Sequence, residues 1–321
     1  MSQKEQNFVK SATYAYPDEI PIYVGVLPSM WLHYGEELVK FAKQYPDFIS
    51  IPDFSKPETM MPASYRVGSY VDEWGCTWSN AQEGMFSIVT GHPLPNREDI
   101  LTVEIPDKLD GGLPHGLMYL RLLDLRGFEE AMMDFAEECD ELQILIDKVL
   151  EYNCRQIKFR LQEHTAPIME FADDLGTQHS LAISPVKWRK YLKPCYTKMF
   201  SIAREAGKLV YLHTDGRIVD IIPDLAECGV NILNPEVKTN GLDNLERLCK
   251  GKMPLCVETD SQLFPYSTPR ELDDHIREIV ETLYLPEGGL SLKIYLNFDV
   301  PLQNAAALID AARKYQAYRR L

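Results

Sequence analysis

Three residues with metal-binding side chains recur at nearly equal spacing in the C-terminal half of the chain: His213, Glu236 and Glu258. They are spaced 23 and 22 residues apart, which suits one strand and one helix each. Neighbouring parallel strands would therefore present all three side chains at the same end of a sheet. An imidazole and two carboxylates can hold a divalent metal, and on zinc they leave one position open for water or substrate. The sequence thus predicts a metal site at these three residues.

Two alternatives stay open for this site. Asp215 can replace one of the glutamates, because the turn His213-Thr214-Asp215-Gly216 brings its carboxylate close to the histidine. Glu236 and Glu258 can instead form salt bridges or cap the helices that follow them, since spacing in a sequence does not establish ligand geometry.

Other polar residues also follow apolar segments. Asp173 and Asp174 are candidates for a catalytic acid or base. Adjacent residues of an extended chain point in opposite directions, so we expect one to face the site and the other to cap the turn at Gly176. We expect four polar or aromatic side chains to contact the substrate: Asp72, Trp78, Tyr119 and Asn297. Three histidines lie in turn-like segments, and we interpret them as surface or loop residues, with a place at the entrance of the site as the alternative: His92, His115 and His179.

From about residue 165 onward, short apolar runs alternate with amphipathic helices. The runs do not alternate between polar and apolar residues, which is typical of parallel strands covered on both faces: 166–173, 208–213, 230–236, 253–258 and 290–296. Ser184-Pro185 and Thr268-Pro269 have residue types that begin helices. The N-terminal half adds predicted strands at 21–27 and 48–51, and helices through 116–161 with a break at Gly127.

This pattern predicts an α/β fold, a (β/α)8 TIM barrel made by a single domain of residues 1–321. A doubly wound open sheet is the alternative. It has less support because no GxGxxG or Walker loop follows any of the strands.

The formal net charge of −15 argues against nucleic acid as a partner, because binding to phosphates needs a basic face. Seven scattered cysteines without a CxxC pair are typical of reduced thiols. The sequence has no apolar run long enough to span a membrane and no N-terminal signal core, so we expect a cytoplasmic protein. We interpret the acidic run 129–141 as a solvated helix face, with a docking surface as the alternative.

Several stretches resemble the uroporphyrinogen decarboxylase superfamily, and together they extend over nearly the whole chain: 71–78, 91–100, 173–194, 213–236, 258–262 and 300–315. The block 173–236 is the most specific. The resemblance implies a (β/α)8 barrel and one of two activities, porphyrinogen decarboxylation or methyl exchange with a corrinoid. Decarboxylases of this group carry an RQAGR motif near the N-terminus, whereas the corresponding region here reads PIYVGVLPSMWLHYGEEL.

Relatives that methylate thiols hold zinc with a His-x-Cys pair and a later cysteine. Here the pair becomes His213-Thr214-Asp215, and residues 296–299 contain no cysteine. The resemblance therefore implies the branch that demethylates methoxylated compounds and passes the methyl group to a corrinoid on a separate protein. It implies zinc as the metal and is compatible with a homodimer. Decarboxylation of a smaller substrate, methyl transfer to a thiol and a catalytically silent scaffold remain as competing hypotheses.

Overall fold

The computed structural model describes residues 1–56 and 61–318. The chain divides into two compact units. The unit that we call central comprises Tyr70–Trp78 and Val89–Pro235, and the terminal unit comprises Met1–Ser69, Ser79–Ile88 and Glu236–Leu321. Both units combine parallel strands with helices, which confirms the predicted α/β class. The closed eight-stranded barrel and its single domain stay predictions.

In the central unit, three parallel strands pair in the order β5–β6–β7: β5 (Ile168–Ala172), β6 (Leu209–Thr214) and β7 (Ile232–Pro235). Its helices are α4 (Arg97–Thr102), α5 (Tyr119–Arg126), α6 (Phe128–Glu137), α7 (Asp140–Glu163), α8 (Pro185–Lys187), a π-helical turn (Trp188–Leu192), α9 (Lys193–Glu205) and α10 (Ile222–Cys228). Burial of both faces of β6 and β7 explains why these two strands read as continuous apolar runs, whereas in β5 Met169 and Phe171 are buried and Glu170 between them is exposed.

In the terminal unit, β1 (Ile22–Val26) pairs with β9 (Leu290–Leu296), and β9 pairs with β8 (Leu255–Glu258), both in parallel. Its helices are α1 (Gln3–Ala12), α2 (Pro28–Tyr34), α3 (Glu36–Ala42), α11 (Val237–Asn240), α12 (Leu242–Cys249), α13 (Pro269–Leu283) and α14 (Leu302–Gln316). A 3₁₀ turn covers Ala63–Tyr65. Three short strands, whose residues are divided between the two units, lie between residues 68 and 91: β2 (Gly68–Val71), β3 (Thr77–Asn80) and β4 (Ile88–Gly91).

The helix boundaries follow the predicted signals. The Ser184 hydroxyl accepts the Lys187 N–H at the start of α8, and Thr268 forms a reciprocal capping box with Glu271 at the start of α13. Gly127, with φ of 86°, separates α5 from α6 as expected.

The predicted strand at 48–51 is wrong. The peptide N–H groups of Phe48 and Ile49 both donate to the Tyr45 carbonyl, so this segment closes a local turn after α3. Its apolar character reflects the burial of Ile49 and not strand pairing.

None of the helices in the described residues is long and apolar enough to cross a membrane.

Candidate functional site

His213 lies at the C-terminal end of β6, in register with Ala172 of β5 and Asn234 of β7. Its Nδ1 is 2.9 Å from the Asn234 side-chain oxygen, and with the amide in this orientation Nδ1 is the donor of the hydrogen bond. Its Nε2 then carries a lone pair and lies 3.4 Å from Asp215 Oδ1. The lone pairs of His213 Nε2 and Asp215 Oδ1 repel each other at this distance unless a proton or a cation lies between the two atoms. The position of His213 thus suits a metal ligand oriented by an outer-shell amide.

His115 and Asp174 lie beside this histidine. The His115 Nε2 is 2.9 Å from Asp174 Oδ1, and the ring centroids of His115 and His213 are 5.3 Å apart in an edge-to-face arrangement. One ligand atom from each of the three side chains falls within 4.8 Å of the other two. The central unit therefore brings two imidazoles and a carboxylate into a cluster that can hold a metal ion.

Charge and burial act against each other in this cluster. Burial lowers the pKa of His115, but its hydrogen bond to Asp174 and the charges of neighbouring acids outweigh that effect, and the pKa is raised. Burial raises the pKa of Asp174, but the bond and charge of His115 outweigh it, and the pKa is lowered. Both shifts favour a negative carboxylate beside a positive group.

Two glycines set the distance between the loops that carry these residues. An alanine Cβ at Gly216 would lie 2.2 Å from the Gly176 carbonyl carbon, so the two backbones touch. The Gly176 N–H donates to the Asp215 carbonyl, and the Asp215 N–H donates to Asp174 Oδ1. This close approach places the carboxylate of Asp174 against the turn that follows His213.

We expect Gly216→Ala to lower the free energy of unfolding by about 3 kcal/mol or more, because it combines a positive φ of 79° with a backbone overlap. Gly207→Ala is the matched control, since Gly207 has φ of 75° with nothing within 4 Å of the added Cβ. The control should lose only about 1–2 kcal/mol in urea denaturation. Equal losses in the two variants would contradict the close approach of Gly216 to Gly176.

The structure distinguishes between the two adjacent aspartates. Asp174 faces the histidines, whereas the Asp173 side chain is fully buried and accepts hydrogen bonds from the peptide N–H groups of Met118, Tyr119 and Leu120. Burial raises the pKa of Asp173, and the donated hydrogen bonds oppose that rise. These contacts favour Asp174 for chemistry at the site and an anchoring role for Asp173. The prediction that the second aspartate caps the turn at Gly176 is wrong, because the Gly176 N–H donates to the Asp215 carbonyl.

Asp72 and Trp78 belong to a buried ion-pair cluster of the central unit. Asp72 Oδ2 is 2.6 Å from Arg121 Nη1 and accepts the Trp78 indole N–H at 3.0 Å. Burial raises the pKa of Asp72, but the Arg121 charge and these hydrogen bonds outweigh it, and the pKa is lowered. Tyr119 is buried, and among the described residues its hydroxyl has no hydrogen-bond partner. The substrate-binding role of all three stays a prediction.

The other predicted site residues lie in the terminal unit. Glu236 and Glu258 are joined by a parallel β-bridge, and Glu236 Oε2 accepts the Thr239 hydroxyl at 3.2 Å within the first turn of α11. Asn297 follows β9, where its side-chain oxygen accepts from the Ser29 hydroxyl and the Phe298 N–H. Glu236 stands at the N-cap position of α11, but its side chain forms no capping hydrogen bond to that helix, so the alternative interpretation as a helix cap is not borne out for this residue. Its metal-binding role and that of Glu258 stay predictions.

The interpretation of His115 as a surface or loop residue is confirmed, but it did not predict the contacts of this residue with Asp174 and His213. It lies on a loop before α5 and does not end a strand, so the strand-end pattern gives it no signal. Its neighbour Gly116 has φ of 80° and donates its N–H to the Ala172 carbonyl, which ties the loop to the end of β5. The only indication in the sequence that His115 reaches the site is its position before a glycine in the segment LPHG.

Residues 88–315 match the family model described as uroporphyrinogen decarboxylase (URO-D). This range contains His115, Asp174 and His213. The chain belongs to the uroporphyrinogen decarboxylase family. The resemblance seen in its motifs is thereby confirmed. No curated protein matches the sequence.

Among solved structures, this uroporphyrinogen decarboxylase family member is similar to a methyltransferase from Methanosarcina mazei. The TM-score is 0.68 at 18% identity, and the match covers 97% of this chain and 98% of the other. At this identity the likeness concerns the fold. Two weaker matches carry no argument: a dihydropteroate synthase from Yersinia pestis (TM-score 0.34, 16% identity, 53% of this chain and 64% of the other) and a 3-keto-D-glucoside 4-epimerase from E. coli (TM-score 0.36, 12% identity, 71% and 96%).

Proposed function

We propose that this protein is a methyltransferase that removes a methyl group from a small O-methyl compound, typically a methoxylated aromatic, and passes it to a corrinoid on a separate protein. Membership of the uroporphyrinogen decarboxylase family and the full-length fold similarity to a methyltransferase support methyl transfer. They also support the predicted (β/α)8 barrel as the frame of the site. The observation that carries the proposal is the cluster of His115, Asp174 and His213.

The donor set of this cluster fits a divalent metal, with zinc as the expected ion. Two imidazoles and a carboxylate are zinc ligands that leave a fourth position for substrate, and Asn234 would orient His213 as an outer-shell partner. A metal ion held there supplies Lewis acidity that polarises the ether oxygen. Glu236 and Glu258 stay predicted as further ligands, with Asp215 as the alternative.

The residues of the chain have separate tasks in such a transfer. The reduced corrinoid of the partner protein would supply the electron pair of the new bond to the methyl group, while the pair of the broken methyl–oxygen bond stays on the oxygen. The main demand on the site is then to stabilise the phenolate or alkoxide that leaves. His115, held by Asp174 and with a raised pKa, is placed to donate a proton or hydrogen bond to that oxygen when it does not bind the metal. Asp174 keeps the imidazole oriented, as a carboxylate does in other acid–base pairs.

The same cluster gives less support to the competing activities. A porphyrinogen carries many carboxylates and needs cationic partners, whereas acids and imidazoles meet at this site. Methyl transfer to a thiol relies on soft sulfur ligands in the relatives, and this cluster offers nitrogen and oxygen. A corrinoid protein as partner, a cytoplasmic location and a homodimer remain parts of the proposal.

The test is methyl transfer from a panel of methoxylated aromatic compounds to cob(I)alamin, with the purified protein before and after treatment with a chelator. We expect methylcobalamin to form with at least one compound, to stop after chelation and to return on addition of Zn²⁺. Failure across the panel, together with loss of CO₂ from a carboxylated compound, would favour decarboxylation instead. Activity unaffected by chelation would reject the Lewis-acid role.

A further inference from the structure

We propose that Asp173 and Tyr196 form a positioning pair that fixes the spacing of the ligand atoms of His115, Asp174 and His213. The inference rests on the metal site of the proposed function and adds two residues that do not touch the metal or the substrate. Both are fully buried, so neither side chain is available to a bound molecule.

The Asp173 carboxylate is saturated with donors. Its Oδ2 accepts the N–H groups of Met118 and Tyr119 at 3.0 and 2.6 Å and the Tyr196 hydroxyl at 2.6 Å. Its Oδ1 accepts the Leu120 N–H at 3.0 Å. The N-terminus of α5 has no side-chain cap of its own, so Asp173 satisfies its first N–H groups from another segment.

Asp173 is joined through the backbone to the segments that carry His115, Asp174 and His213. The N–H groups that it accepts begin three residues after His115, and it precedes Asp174 directly in the chain. Its own peptide N–H donates to the His213 carbonyl at 3.1 Å. A shift of the Asp173 side chain would therefore move the His115 loop relative to the other two ligands.

Tyr196 determines where that carboxylate can lie. It belongs to α9, four residues after the π-helical turn, and its ring stacks on Trp188 of that turn with centroids 5.9 Å apart and planes 15° from parallel. π-helical turns are rare and often mark functional sites. The ring is held on its face and its hydroxyl donates to Asp173, so the donor has a fixed position.

Outer-shell partners of metal ligands typically contribute 10–100-fold to metal affinity. We therefore expect Tyr196→Phe, which removes one donor and keeps the ring, to weaken Co²⁺ binding by about 10-fold, the lower end of that range, because Tyr196 acts on the ligands through Asp173. The visible absorption of the Co²⁺-loaded protein should shift towards that of His115→Ala, because the His115 nitrogen would no longer be held at ligand distance.

Tyr191→Phe is the matched control. Tyr191 is a buried tyrosine of the π-helical turn, and its hydroxyl donates to Glu138 and not to Asp173. It should bind Co²⁺ with the affinity and spectrum of the unaltered protein. Thermal unfolding of the apo variants measures how much each substitution destabilises the fold. A loss of Co²⁺ affinity that comes from general destabilisation would be similar in both tyrosine variants.

The outcomes separate the two proposals. If His115→Ala changes the Co²⁺ spectrum and Tyr196→Phe does not, the positioning role is overturned and the metal site stands. If Tyr196→Phe and Tyr191→Phe weaken Co²⁺ binding equally, the effect is structural and the positioning role is again overturned. If His115→Ala and His213→Ala both bind Co²⁺ like the unaltered protein, the metal site fails and the positioning role fails with it.

Discussion

Replacing His213 with alanine is expected to weaken Zn²⁺ binding by at least about 100-fold, because loss of a ligand should cost more than loss of an outer-shell partner. The imidazole lies between Asn234, which orients it, and Asp215, which faces its other nitrogen. Methyl transfer to cob(I)alamin should fall to the level of the chelated protein.

Calorimetric titration of the apo protein with Zn²⁺ measures the affinity, and metal analysis of the purified variant measures the retained ion. His179→Ala is a suitable control, because His179 lies exposed on the loop after β5. Unchanged zinc content together with unchanged methyl transfer in the His213 variant would disprove the ligand assignment. Unchanged zinc with lost activity would instead give His213 an acid–base role.

The second large effect concerns stability. We expect Asp134→Ala to lower the free energy of unfolding by about 3–5 kcal/mol, because it leaves a buried guanidinium without its carboxylate. Asp134 Oδ2 lies 2.8 Å from Arg126 Nε, and both side chains are 1% exposed. The other carboxylate oxygen of Asp134 is 2.7 Å from Arg97 Nε. These two ion pairs join α4, α5 and α6 of the central unit.

Glu129→Ala is the control on the same helix. Glu129 is exposed, so its removal should change stability by no more than about 0.5 kcal/mol. Urea denaturation followed by circular dichroism compares the two variants. A loss below about 1 kcal/mol in the Asp134 variant would show that water or another acid compensates Arg126.

Asp134 also illustrates a limit of the sequence interpretation. The acidic run 129–141 was interpreted as a solvated helix face, which holds for most of its members. Helical periodicity alone turns Asp134 inward, but a single acid on an apolar face gives no indication of its partner. Arg126 is eight residues away, and Arg97 is 37 residues away. Only the packing of three helices shows that this carboxylate is paired.

For the fold, the sequence was informative because the signals are local. The strand at 290–296 has the predicted bounds, and β6, β7 and β8 lie within two residues of theirs. Caps at Ser184 and Thr268 depend on residues within one helical turn. The segment 48–51 failed because an apolar run that closes a turn has the same composition as a short buried strand.

The site residues were predicted from polar side chains at the ends of the predicted strands. This pattern placed His213 and Asp174 correctly at the ends of β6 and β5, where the structure brings them together with His115. It could not find His115, because a loop residue reaches the site through the conformation of the loop and not through any periodicity. It also could not choose between Asp173 and Asp174, whose difference arises from the N–H groups of α5, more than 50 residues away.

The sequence by itself therefore determined the α/β class, the family and the two strand-end residues, His213 and Asp174. Strand–helix alternation and family motifs depend on residues that are close together in the chain, so the sequence shows them directly. The tertiary structure decided which polar side chains share a site. Distances between loops depend on non-local contacts such as the backbone approach of Gly176 to Gly216 and the hydrogen bonds of buried Asp173. Such contacts leave no regular pattern along the chain.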